Sequence, residues 1–145
     1  MRYLFIVLLA LNLAACSNKK NPNETSAIIE KMPKMDFGKD STAYDFGELT
    51  DGQIVEHQFK FTNTGAFPLI INDVRASCGC TIPEWPKEPI SPGASDKILV
   101  RFNTKGKAGP QSKTVTITAN TNPSYTTIQF SAMVLRQRDS TRLRQ

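Results

Sequence analysis

Residues 55–61 read VEHQFKF. Val55, His57, Phe59 and Phe61 alternate strictly with Glu56, Gln58 and Lys60. Successive side chains of an extended chain point to opposite faces, so a period of two means a strand with one apolar and one wet face. The same alternation returns downstream. Ile98, Val100 and Phe102 alternate with Lys97, Leu99 and Arg101; Val115, Ile117 and Ala119 with Thr114, Thr116 and Thr118; Ile128, Phe130, Ala132 and Val134 with Thr127, Gln129, Ser131 and Met133. Turn formers separate these runs: TDG from Thr50, NTG from Asn63, SPG from Ser91, TKGKAGP from Thr104 and NTNPS from Asn120. No segment carries a sustained helical period. About seven short strands with regular turns make an all-β fold, a single antiparallel β-sandwich over residues 42–135. Phe59, Phe61, Val100, Phe102, Ile117 and Phe130 are predicted to face its core.

Upstream, Met1-Arg2-Tyr3 gives a short positive start and LFIVLLALNLAA an apolar run too short to span a bilayer comfortably. The run ends in Leu13-Ala14-Ala15-Cys16, which resembles the lipobox of bacterial lipoproteins. The resemblance implies a signal peptide over residues 1–15 and acyl chains on Cys16 as the new N-terminus. It implies an envelope protein anchored in the membrane by lipid. Ser17, where no Asp stands, favours the outer membrane, and the lack of an acidic cluster after Cys16 favours its periplasmic face. In that compartment disulfides persist. Residues 16–41 are polar and without period, and read as a flexible tether in which Pro33 stops any helical turn begun near Ala27.

The net charge of +5 does not sit on the domain. Residues 42–135 hold eight acidic and eight basic side chains, and the excess lies in Arg2, the tether and a basic tail over 136–145 with four arginines. A nucleic-acid module would carry its basic residues on the folded domain, so no nucleic-acid partner is expected. Other envelope proteins are the expected partners, with no small-molecule substrate and no cofactor.

The stretch from Tyr44 onward, YDFGELTDGQIVEHQFKFTNTG, then SCGCT with Pro-Trp after it, SPG, and SKTVTITAN to Asn120, resembles the bacterial family of unknown function numbered 1573. That resemblance implies an Ig-like sandwich similar to hydin and major-sperm-protein domains. It implies no activity.

Two cysteines, Cys78 and Cys80, flank Gly79. Residues two apart on a strand have Cα atoms about 6.6 Å apart, near the roughly 6.8 Å limit for a disulfide. A bridge therefore needs a bend at Gly79. Closing three residues is worth only about 1.6 kcal/mol of loop entropy, which suits a labile redox couple better than a staple. Soft-metal binding by the two thiolates is a further reading. Plain packing beside Trp85 is another. Trp85, between Pro83 and Pro86, is also a recognition candidate, because tryptophan is enriched at binding hot spots. The single histidine, His57, falls in the apolar series and reads as a half-buried packing residue. No nucleophile elbow, phosphate loop or metal-ligand run appears, so no catalytic residue is assigned.

Overall fold

Each alternating run forms a strand in the computed structural model, which describes residues 22–40 and 42–136. A helix, α1 (Pro22–Lys31), comes first. Eight strands follow: β1 (Met35–Asp36), β2 (Ala43–Thr50), β3 (Ile54–Asn63), β4 (Ile71–Ala76), β5 (Thr81–Glu84), β6 (Ser95–Asn103), β7 (Gly109–Ala119) and β8 (Tyr125–Leu135). They make two four-stranded sheets, ordered β1-β3-β6-β5 and β2-β8-β7-β4. The inward faces meet in one core. Phe59, Phe61, Val100, Phe102, Ile117 and Phe130 are all buried there, as their parity requires, with Ile98, Val115, Ile128 and Val134 beside them. Phe102 and Phe130 join the sheets across the middle, ring centroids 5.1 Å apart.

The expected all-β, mainly antiparallel sandwich is what forms, with one parallel pair, β2 beside β8. Only hairpin-linked neighbours are constrained to run antiparallel. β2 and β8 lie far apart in sequence, so alternation fixes their faces and not their relative direction. One expectation is corrected, the tether over residues 16–41. Residues 22–31 are helical, Pro occupying the first helical position where its missing N–H costs nothing. Residues 33–37 then belong to the fold. Pro33 is buried, Met35 and Asp36 pair with Asn63 and Thr62, and Met35 and Phe37 pack on the core. The folded unit therefore starts at Pro33, not at residue 42. This strap shows the same period of two, with Pro33, Met35 and Phe37 inward and Lys34 and Asp36 outward.

The turns follow their residues. Ala94 N–H donates to Ser91 O at 3.0 Å and Gly93 has φ +77°, the type II geometry that Pro92-Gly93 suggests. Gly65 is required for another reason than backbone freedom. It lies outside the left-handed region; a Cβ there would meet Pro33 Cα at 2.5 Å and the Lys34 nitrogen at 2.8 Å. Glycine is needed because the strap crosses directly over it.

Candidate functional site

Between β4, an edge of the second sheet, and β5, an edge of the first, the chain crosses the sandwich in four residues, Ser77 to Cys80. Hydrogen bonds hold this corner on both sides. Ser77 N–H donates to Thr114 O at 2.9 Å and Thr114 N–H to Ser77 Oγ at 3.2 Å. Thr81 N–H donates to Cys78 O at 3.2 Å, and Asn103 N–H to Cys80 O at 2.9 Å. Within the corner Cys78 and Cys80 are joined by a disulfide, with Cα atoms 5.3 Å apart. That is shorter than an extended step of two residues, about 6.6 Å, so the chain bends at Gly79. Both cysteines are half-buried, and Cys80 packs on the core. The Thr81 hydroxyl, on a buried residue, lies 3.5 Å from Cys78 Sγ and 4.0 Å from Cys80 Sγ.

Cys80 and Gly79 form one wall of a surface groove of about 340 Å³; Ile54, Ile82, Arg101, Asn103 and Lys105 complete it. Ile54 is 61% exposed and Ile82 54%. They flank β6 on the outer face of the first sheet, opposite Asn103 and Arg101 respectively. Arg101 bridges Glu56 (2.6 Å) and Glu84 (3.5 Å) across three strands. The hydrogen bond and charge of Glu56 hold its guanidinium above its ordinary value. These pairs are exposed, so they order the face more than they stabilise it.

Trp85 sits just beyond β5. It is half-buried against the core, with Lys87 Nζ 3.0 Å from its ring centroid. One ring face is thus covered by the Lys87 ammonium. His57 is half-buried as expected, stacked on Tyr44 with centroids 3.5 Å apart and edge-on to Phe59. Burial pushes its pKa below 6.5. It is not brought to the cysteines: it lies three residues along β3 from Ile54, roughly 10 Å, and β6 stands between it and the corner. Cys16, like the segment 1–15 read as a signal peptide and the tail beyond Arg136, lies outside the described residues. Among the described residues no group of three or more His, Cys, Asp or Glu comes together, so the two sulfurs have no further ligands at hand.

Two features went unread in the sequence. The groove was legible in part, since Ile54 shares the outward parity of Glu56, Gln58 and Lys60, yet is apolar. The Thr81 hydroxyl was not, because its closeness to the sulfurs depends on the bend at Gly79.

The fold has relatives of known structure. A protein of unknown function from Porphyromonas gingivalis W83 is 20% identical, with a TM-score of 0.58 over 70% of this chain; the match spans 46% of that chain. The ASH/PapD-like domain 7 of human CEP192 is 9% identical, with a TM-score of 0.57 over 88% of this chain and 97% of that one. The VesB protease of Vibrio cholerae is 13% identical, with a TM-score of 0.52 over 76% of this chain and 34% of that one. At such identities the likeness shows the Ig-like, PapD-like sandwich alone. Comparison with curated proteins found no match. Residues 37–134, from the end of the strap to the last strand, match the family described as "Protein of unknown function (DUF1573)", and the chain belongs to that family.

Proposed function

We propose that the protein is a lipid-anchored, non-enzymatic binding module of the cell envelope, presenting the groove at the cysteine corner to another envelope protein. The observation that carries this is the separation of two ends. The chain enters the sandwich at the strap, beside Asn63 at the end of β3. Ile54, at the start of β3, lines the groove. Nine steps of extended chain put these ends roughly 30 Å apart. Anchoring through Cys16, which the lipobox-like Leu13-Ala14-Ala15-Cys16 supports, would then leave the groove on the side away from the membrane. The basic tail follows Leu135, which pairs with Thr50 beside Ile54, so its root lies at the groove end too. Two exposed isoleucines on either side of β6, with Arg101 and Asn103 between them and the bridged corner beside them, give a docking partner both apolar and polar contacts.

Two measurements test the proposal. Intact-mass analysis of native protein should show an N-terminus at Cys16 carrying acyl chains; an unmodified chain from Met1 would remove the anchor. A photo-crosslinking residue in place of Ile82 should yield protein adducts in intact cells. The same residue in place of Phe67, 51% exposed at the strap end, should not. Equal adducts, or none from Ile82, would remove the binding face.

A further inference from the structure

We infer that the groove is a thiol-exchange site, in which a cysteine of an envelope protein docks between Ile54 and Ile82 and attacks the sulfur of Cys80. This rests on the binding-module reading for its partner and on the corner's own geometry for its chemistry. The bridge is not what holds the corner. It closes only three residues, so loop entropy gives it little hold on the fold. The hydrogen bonds at Ser77, Thr81 and Cys80 fix the corner from both sheets whether the sulfurs are joined or not. The chain can therefore pass between disulfide and dithiol while staying folded.

The two sulfurs are not equivalent. Cys80 lines the groove and Cys78 does not. Gly79 is exposed, and a Cβ added there would meet nothing within 4 Å, so an incoming chain is not obstructed. The Thr81 hydroxyl lies nearer to Cys78, at 3.5 Å, and can donate to a thiolate forming there. Attack at Cys80 with Cys78 leaving therefore uses both features. Lys105 puts positive charge on the groove wall, which favours an approaching thiolate, whereas the Arg101 charge is met by Glu56 and Glu84. Lys105 forms no ion pair among the described residues. The partner segment is thus a cysteine with an apolar neighbour for Ile54 and Ile82 and an acidic one for Lys105.

The step balances as thiol–disulfide exchange. The partner thiolate forms a bond to Cys80 Sγ, the Cys78–Cys80 bond breaks, and its electron pair leaves on Cys78, which takes a proton from water. A second cysteine of the partner then displaces Cys80. The partner departs oxidised to a disulfide, and Cys78 and Cys80 are left as a dithiol. A protein disulfide of the envelope, acting in reverse, restores the bridge.

The test uses the full chain in detergent and two probes at equal thiolate concentration: glutathione, and a synthetic peptide with one cysteine between leucine and aspartate. The peptide should open the bridge roughly tenfold faster, the gain that covering one exposed isoleucine supplies. Ile82→Ser should reduce its rate to that of glutathione. Mass mapping of the trapped adduct should place the peptide on Cys80. Equal rates for the two probes, adducts on Cys78, or a disulfide-linked dimer of this chain in place of the peptide adduct would each overturn the inference. Photo-crosslinks from position 82 without any mixed disulfide in cells would leave the binding module standing and sink thiol exchange. Loss of those crosslinks with the peptide kinetics intact would do the reverse.

Discussion

Asn63 has no exposed surface, and its amide is fully used. Nδ2 donates to Phe67 O at 2.8 Å and to Ile90 O at 3.0 Å, while Oδ1 accepts from Gly65 N–H at 3.1 Å and Lys34 N–H at 3.4 Å. One side chain thus joins the strap, the turn after β3 and the segment before β6. Asn63→Leu keeps the branched shape but strands the Phe67 carbonyl and the Gly65 and Lys34 N–H groups, while Ile90 O keeps its bond from Leu69 N–H, and should cost about 2–3 kcal/mol in denaturant unfolding. Gly65→Ala should displace the strap at a cost of about 1–3 kcal/mol and open the chain to trypsin at Lys34. Gly79→Ala, with open space around it, should leave stability nearly unchanged. In the core, Phe61→Ala should lose about 3–5 kcal/mol, against less than about 0.5 kcal/mol for Lys60→Ala on the wet face of the same strand. His57 gives a pH signature. Its folded pKa is depressed by burial, so the folded state holds fewer protons than the unfolded one. Its contribution is present above 6.5 and is lost as pH falls from there through the lowered folded value. Thermal melts of wild type and His57→Gln should converge on acidification through that window. A His57→Gln melt curve that tracked wild type at every pH would contradict this. Residues 63–65 were legible as a turn; the burial of Asn63 and the crowding at Gly65 were not, because both involve the strap, whose Lys34 lies 29 positions before Asn63.

The edge strands carry devices against pairing with another chain, except along Ile54–Phe61 of β3, which the two residues of β1 leave without a neighbour on that side. β1 has only two residues. β2 is broken by a bulge between Asp45 and Glu48, where Gly47 sits at φ +69°. The ladder of β4 shifts between Ile71 and Asp73. β5 carries Pro83. The Asn103–Cys80 hydrogen bond sets the phase of the β5–β6 ladder, so that Pro83 falls at a position whose backbone points outward. There its missing N–H costs no internal bond and denies a donor to an incoming strand. Pro83→Val should restore that donor and raise self-association in sedimentation velocity, with little change in unfolding midpoint. Pairing along β5 is therefore disfavoured, and the groove offers a partner the outer face of the first sheet instead. At this scale alternation read four long strands and their faces correctly, since each buries one side only. It could not read strand direction, which is set between distant segments, or the two-residue β1, whose inward parity over Pro33, Met35 and Phe37 is too short to stand out from the polar residues before it.

The molecule as a whole has two ends. At one, the strap, Asn63 and the turn at Gly93 are tied together; at the other, Ile54, Ile82 and the bridged corner open to solvent. Chain order along β3 fixes that separation, so the proposed anchor ahead of the strap would leave the groove facing away from the membrane. The all-β class and the inward residues were legible because burial on one face leaves a local period. The groove's membership was not, since it collects side chains from β3, the corner, β5, β6 and the turn after it, which only the finished sandwich brings together. The bridge is a minor part of stability at this scale: reduction should cost no more than about 1.6 kcal/mol, read as a modest fall in melting temperature with the far-UV spectrum preserved. The two-ended arrangement is tested most directly by energy transfer on the lipidated full chain in vesicles. A fluorescent residue replaces either Phe67 or Ile82, and the acceptor is carried on the lipid headgroups. Stronger transfer from position 67 than from position 82 is the predicted result. Equal transfer, or stronger transfer from position 82, would contradict it.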